Sequence, residues 1–218
     1  TLPEVGLIEQ DNANERYRLG WRMFQLGEAA GNQFDLRRRA EPYLVQLRDE
    51  LRETVVLTVA TNGMPMVIST MENIYARICV SVKPGNRPPP HRSALGRVSL
   101  AFASPRERDA MLDEVLASGV KFDAAALTEL SKRLDRIRAD YYEICSGEMM
   151  TGISTLAVPI FRDGASLAGS IAIVGSVDDI PTPPDERQIK ALQRVARELS
   201  EQLNSMMYSE RAGAPVRR

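Results

Sequence analysis

The stretch that decides the fold is GISTLAVPIFRDGASLAGSIAIVGS, residues 152–176. Two apolar runs flank Asp163-Gly164, a pair typical of a tight turn because glycine tolerates a positive φ. The stretch therefore predicts a β-hairpin. Side chains alternate along a strand, so the apolar residues of each strand divide between two faces.

The two predicted faces of this hairpin differ in the size of their side chains. One face carries the bulky aliphatic residues Leu156, Val158, Ile160, Ile171 and Ile173. The other carries smaller, partly polar residues, among them Thr155, Ala172 and Val174. We expect helices to pack on the bulky face. The small-residue face leaves room for a ligand.

The residues before the hairpin predict several further elements. We expect a small hairpin with strands 6–9 and 16–19 joined by the turn 11–15. Two helices should follow, at 19–30 and 36–52, and then a three-stranded meander at 54–60, 65–71 and 76–82. Gly31 is expected to stop the first helix and Asp35 to cap the second. Residues 83–90 contain four prolines and predict an extended loop. Because two strands alone are marginal in water, we expect the first hairpin to end a domain that begins upstream.

The remaining residues predict helices on both sides of the 152–176 hairpin. The expected elements are helices 93–103, 105–117 and 123–142, a short strand 143–145, a loop 146–151 and a final helix 184–208. Helices combined with antiparallel strands in layers predict an α+β domain, an antiparallel sheet flanked by helices. The tail 211–218 is expected to be disordered.

Composition excludes several classes of protein. The chain has 218 residues and a net charge of −1, so bulk charge does not attract it to nucleic acid or membrane. No apolar run approaches ~18 residues, and the first residues do not resemble a signal peptide. Cys79 and Cys145 are far apart and indicate neither a disulfide framework nor a zinc site. We expect a reducing, cytoplasmic compartment.

The sequence is poor in catalytic residues, so we predict no catalytic site, metal or cofactor. His91 is the single histidine and is expected to orient the proline-rich loop and the next helix. Cys145 is expected to be structural, and Glu148 to cap a loop or face solvent. Arg92 adjoins the N-terminus of the helix that begins near Ser93. That position suits either a carboxylate ligand or plain solvent exposure, and both remain open.

Seven segments, in order, together resemble one family, the IclR-type transcriptional regulators. The segments are Tyr17–Gly20, Pro90–Arg97, Leu100-Ala101, Ile137-Arg138 with Tyr141, Glu148 followed by Gly152, Leu156–Pro159, and Ile171–Gly175. The resemblance implies an N-terminal winged helix-turn-helix that binds a DNA operator. It also implies a C-terminal effector-binding domain with a GAF/PAS-like fold, and a homodimer or homotetramer.

The resemblance also implies a division of the chain. Residues 1–20 would be the wing remnant of the DNA-binding domain, 21–33 a linker helix and 34–210 the effector-binding domain, with 211–218 as the tail. The recognition helix would lie outside this sequence. The chain would therefore bind a ligand, and would read DNA poorly without that helix.

The family's effector-pocket positions fall on six residues of this sequence: Ala94, Leu95, Cys145, Thr155, Ala172 and Val174. Arg92 stands where the family commonly has a small residue. These side chains are less polar than those of small-acid sensors in the family. We therefore expect an aromatic or medium-chain carboxylic acid as effector, with its carboxylate held by Arg92 or by backbone N–H groups.

Two other classes of function stay open at this point. A small-molecule enzyme is disfavoured because no constellation of His, Glu and Cys is visible. A GAF-type signalling module could bind a nucleotide or haem. His91 in a proline-rich loop disfavours haem ligation, and an absorbance spectrum would decide the matter.

Overall fold

The computed structural model describes residues 5–10, 16–33, 35–61, 63–75 and 80–209, and the chain divides into two compact units, 1–38 and 39–218. Three predictions fall wholly or partly on other residues: the turn 11–15, residues 76–79 of the third meander strand with Cys79, and the tail 211–218. None of the helices described is both long and apolar enough to cross a membrane.

The first unit contains the predicted N-terminal hairpin and helix. Strand β1 (Ile8–Gln10) pairs antiparallel with β2 (Tyr17–Leu19), and helix α1 (Trp21–Gln33) follows. The prediction that Gly31 stops α1 is wrong, because the helix continues to Gln33. Glycine weakens a helix interior by about 1 kcal/mol, but it places no steric bar on the helical conformation.

The other helices and strands follow the predicted order. They are α2 (Asp35–Leu51), β3 (Thr54–Thr61), β4 (Met64–Met71), α3 (Ala94–Phe102), α4 (Pro105–Ala117), α5 (Ala124–Asp140), β5 (Glu143–Ser146), β6 (Ile153–Arg162), β7 (Ser166–Ser176) and α6 (Glu186–Gln202). Strands β3 to β7 form one antiparallel sheet in the order β4-β3-β7-β6-β5. The α+β class, an antiparallel sheet flanked by helices, is confirmed.

The hairpin of β6 and β7 forms as predicted. Its turn residues, Asp163 and Gly164, have φ values of 45° and 87°, the left-handed region that favours glycine. Thr155 pairs with Val174 and Ala157 with Ala172 across the two strands. The small-residue positions of both strands therefore lie on one face of the sheet.

Two predictions along the chain are wrong. Residues 80–82 are not a strand, and the second partner of β3 is β7, more than a hundred residues later in the chain. Helix α6 ends at Gln202 instead of near 208. It ends there because the carbonyls of Leu203 and Asn204 accept hydrogen bonds from the N–H groups of the β6–β7 turn, and Asn204 has a φ of 61°.

Helices cover both faces of the sheet. Helix α6 packs on β6 and β7, and α3 packs on the opposite face with α5 beside it. The bulky residues Leu156, Val158, Ile160, Ile171 and Ile173 are fully buried, which confirms that this face is packed. On the other face Ala157 and Ala172 join a buried cluster with residues of α3. The small-residue face is therefore partly packed as well.

Candidate functional site

A cavity of about 440 Å³ opens on the small-residue face, beside the start of α3. The described residues that line it are Val80, Ser81, Val82, Asn86, Arg87, Pro88, Pro89, Ser93, Ala94, Leu95, Met149, Met150, Ile153, Thr155 and Val174. Two loops, 80–89 and 149–150, thus form its walls with α3 and the hairpin. Most of these side chains are apolar, as in ligand pockets generally.

The start of α3 is built from a serine cap and a close backbone approach. The Ser93 hydroxyl accepts a hydrogen bond from the Gly96 N–H at 3.0 Å and donates one to the Pro89 carbonyl at 2.8 Å. A Cβ at position 96 would clash with that carbonyl, so the site requires glycine. The helix start and the proline-rich loop are therefore held together. By helix geometry the N–H groups of Ala94 and Leu95 have no partner within α3.

The proline-rich loop is fixed to the edge strand β4. The Gly85 N–H donates to the Val67 carbonyl at 2.8 Å, and the Val67 N–H donates to the Asn86 carbonyl at 2.9 Å. The Thr70 hydroxyl donates to the Val82 carbonyl. Because the first two bonds satisfy the backbone N–H and carbonyl of Val67 on the open edge of β4, the loop occupies that edge and forms a wall of the cavity.

Four charged residues hold the loop that carries Met149 and Met150. The Arg97 guanidinium contacts both Glu148 oxygens and lies 3.1 Å from Glu143 Oε1. Arg133 lies 2.6 Å from Glu143 Oε1 through Nε and 3.0 Å from Glu148 Oε1 through Nη2. The network joins α3, α5, β5 and the loop after β5. We call these four residues the ion network.

The charges of the ion network keep its loop carboxylate ionised. Burial would raise the pKa of Glu148, but the hydrogen bond and charge of Arg97, together with Arg133, outweigh burial and lower it. Burial acts to lower the pKa of Arg97, and the two glutamates raise it above its usual range. Glu148 and Arg97 thus stay oppositely charged at neutral pH and hold the loop 147–150 against α3, whereas burial raises the pKa of Glu143.

Four of the seven residues predicted to bind effector line the cavity: Ala94, Leu95, Thr155 and Val174. Three described residues lie outside that lining: Arg92, Cys145 and Ala172. Ala172 is fully buried in the cluster under α3. The structure therefore brings together the helix start and one end of the hairpin face. It separates them from the middle of that face.

The side chains of Arg92 and Cys145 make hydrogen bonds to backbone carbonyls outside the cavity lining. Arg92 is exposed, and its Nη2 donates to the Glu148 carbonyl at 2.6 Å. The Cys145 thiol is buried and donates to the Arg92 carbonyl at 3.2 Å. Burial and the nearby Glu148 raise the pKa of this thiol, so it stays protonated and is a poor nucleophile.

His91 follows the proline-rich loop and is not among the described residues that line the cavity. Its ring meets Phe122 edge-on at 5.8 Å between centroids, and its carbonyl accepts a hydrogen bond from Arg97 Nε at 3.0 Å. Burial, and then the charges of Arg92 and Arg97, lower its pKa. The imidazole is therefore neutral at pH 7, and its backbone helps to hold Arg97.

Sequence reasoning missed several residues that the structure places at the site. Arg87, Met149 and Met150 line the cavity, and Glu143 pairs with Arg97 and Arg133. The run of prolines predicted an extended loop that contains Arg87, but it did not indicate that this loop forms a wall of the cavity. Members of the ion network lie up to 51 positions apart in sequence, so no local pattern could have paired them.

A family profile described as "Bacterial transcriptional regulator IclR C-terminal" matches residues 29–201. Among curated proteins, the HTH-type transcriptional regulator KdgR of Dickeya chrysanthemi is 27% identical over 95% of this chain and 68% of its own length. The HTH-type transcriptional regulator BhcR of Paracoccus denitrificans is 29% identical over 92% of this chain and 72% of its own length.

Solved structures share the fold. Pseudomonas aeruginosa HmgR superposes with a TM-score of 0.70 at 27% identity, covering 94% of this chain and 81% of its own. Thermotoga maritima IclR has a TM-score of 0.72 at 23% identity, covering 93% and 81%. A Microbacterium hydrocarbonoxydans IclR homologue, solved in complex with 4-hydroxybenzoate, has a TM-score of 0.74 at 20% identity, covering 93% and 82%.

Proposed function

The chain belongs to the IclR family of bacterial transcriptional regulators, and from this we propose that its larger unit binds a small-molecule effector that controls DNA binding. The observation that carries the proposal is the 440 Å³ cavity beside the start of α3. Pockets for small ligands typically measure about 300–1,000 Å³ and combine apolar walls with a few polar groups. The relatives are regulators, which favours a binding role over an enzymatic one.

The effector is an aromatic or medium-chain carboxylic acid. Leu95, Ile153, Val174 and the two methionines would contact its apolar part, and methionine adapts to irregular shapes. The N–H groups of Ala94 and Leu95, which have no partner within α3, would receive the carboxylate, because the N-terminus of a helix favours anions. The bound 4-hydroxybenzoate of the Microbacterium homologue supports this class of ligand.

The smaller unit would transmit the effector signal to DNA. Residues 1–20 would complete the wing of a winged helix-turn-helix, 21–33 would form the linker helix and 34–210 the effector-binding domain. A homodimer or homotetramer would present paired DNA-binding domains to an operator. Effector binding would shift the population between two arrangements of these domains through the linker helix.

Thermal unfolding with candidate acids tests this function. We expect 4-hydroxybenzoate or hexanoate to stabilise the protein, by ~2.7 kcal/mol at a hundredfold excess over Kd. Val174→Trp should fill the cavity and abolish the stabilisation. Leu127→Trp, at a position 46% exposed on α5, is the matched control and should leave it unchanged. Stabilisation by glyoxylate or pyruvate that exceeds that by every larger acid would overturn the proposed effector class.

A further inference from the structure

Arg87 differs from every other residue that lines the cavity. It is the one charged side chain among the described lining residues, which are otherwise apolar or neutral. It is exposed, and within the described part of the chain its guanidinium makes no hydrogen bond or ion pair. A charged residue with no counter-ion among the described residues thus lines an apolar pocket.

The neighbouring arginines are already occupied. Arg97 and Arg133 bind the two carboxylates of the ion network, and Arg92 donates to the Glu148 carbonyl. Their donors hold structural elements together, so a ligand would have to compete with protein acceptors for them. Arg87 offers its donors without that competition, and a guanidinium binds a carboxylate through two parallel hydrogen bonds.

The backbone around Arg87 is held in place before any ligand binds. The Asn86 carbonyl accepts a hydrogen bond from Val67 of β4, and Pro88, Pro89 and Pro90 follow Arg87 directly. Proline restricts the backbone, so little loop entropy remains to be lost on binding. Ordering of the Arg87 side chain is then the main conformational cost of a contact with a ligand.

We infer that Arg87 is the residue that makes the cavity selective for anionic effectors over neutral molecules of the same shape. This rests on the proposed effector-binding function and assigns the charge recognition of that same site. The N-terminus of α3 contributes partial positive charge from backbone dipoles, whereas Arg87 contributes a full charge. Removing that charge should therefore affect acids and spare their amides.

Matched ligand pairs measure this selectivity. Calorimetric titration would use 4-hydroxybenzoate against 4-hydroxybenzamide, and hexanoate against hexanamide, with the wild type, Arg87→Gln, Arg87→Lys and Arg92→Gln. We expect Arg87→Gln to weaken binding of the acid about tenfold and to leave the amide unchanged. Arg87→Lys should retain part of the preference for the acid. Arg92→Gln, five residues away, should bind both ligands as the wild type does.

The possible outcomes separate the inference from the function on which it rests. An unchanged acid-to-amide ratio in Arg87→Gln, with the wild type binding the acid, overturns the role of Arg87 and leaves the proposed function standing. An equal loss in Arg92→Gln also overturns it, because the effect would then belong to the charge of the whole loop. Failure of the wild type to bind either acid overturns both proposals. Because Arg87 is exposed and unpartnered, its variants should unfold at the wild-type temperature.

Discussion

The two faces of the central sheet differ in how completely they are packed. Under α6, Leu156, Ile171 and Ile173 are fully buried. Under α3, Ala172 is fully buried in the core cluster, whereas Val174, a 5% exposed member of the same cluster, also lines the cavity together with Thr155. The identity of the face is therefore not sufficient to predict a binding site. The position along the strand, relative to where α3 begins, separates core from cavity.

The largest loss of stability is expected when a buried side chain on the face under α6 is shortened. Leu156→Ala removes a fully buried side chain and should lower the free energy of unfolding by about 4 kcal/mol. Thr155→Ala is the matched control on the neighbouring residue, which faces the cavity, and should cost less than about 1 kcal/mol. Urea unfolding measures both, and equal losses would contradict the contrast between the faces.

A pair of tryptophan substitutions on β7 tests the division within the small-residue face. Ala172→Trp forces a large ring into the cluster under α3 and should destabilise the protein by about 3 kcal/mol or more. Val174→Trp lies two residues further along the same face and can extend into the cavity, so the protein should fold and lose ligand binding. Circular dichroism with ligand titration separates the two outcomes. A folded Ala172→Trp that merely fails to bind would place the cavity deeper than described.

Local sequence patterns predicted which residues form helices and strands better than they predicted which strands pair with each other. The Asp163-Gly164 turn and the alternation around it identified β6, β7 and their two faces from short-range chemistry. The pairing of β3 with β7 depends on contacts more than a hundred residues apart, which no local pattern reports. The site followed the same rule. Thr155 and Val174, predicted from the hairpin faces, line the cavity, and Arg87, which also lines it, was not predicted because its loop is oriented by bonds to β4.

The ion network stabilises the side of the sheet that carries the cavity, because it joins α3, α5, β5 and the loop after β5. Arg97→Met leaves Arg133 as the remaining partner of both the buried Glu143 and Glu148, so we expect a loss of about 2 kcal/mol. This is less than the 3–5 kcal/mol typical of an isolated buried pair, since one arginine remains. Urea unfolding measures the loss. The matched control Arg92→Met gives up one exposed contact and should cost under about 1 kcal/mol, and a similar loss in both variants would contradict a buried network.

Glu53 gives an expected effect that depends on pH. It lies against Gly175 at the end of β7 and, within the described residues, has no ion pair. Burial, and then Asp179, raise its pKa from 4.5 to about 7. The folded state then holds this proton more tightly than the unfolded state, so the stability that Glu53 contributes is complete below pH 4.5 and is lost as pH rises through 7. The melting temperature of Glu53→Gln minus that of the wild type should therefore rise between pH 4.5 and 7 and then level off. The exposed control Glu186→Gln should show no such rise. A flat difference for Glu53→Gln would mean that burial does not raise the pKa of this carboxyl in the folded protein.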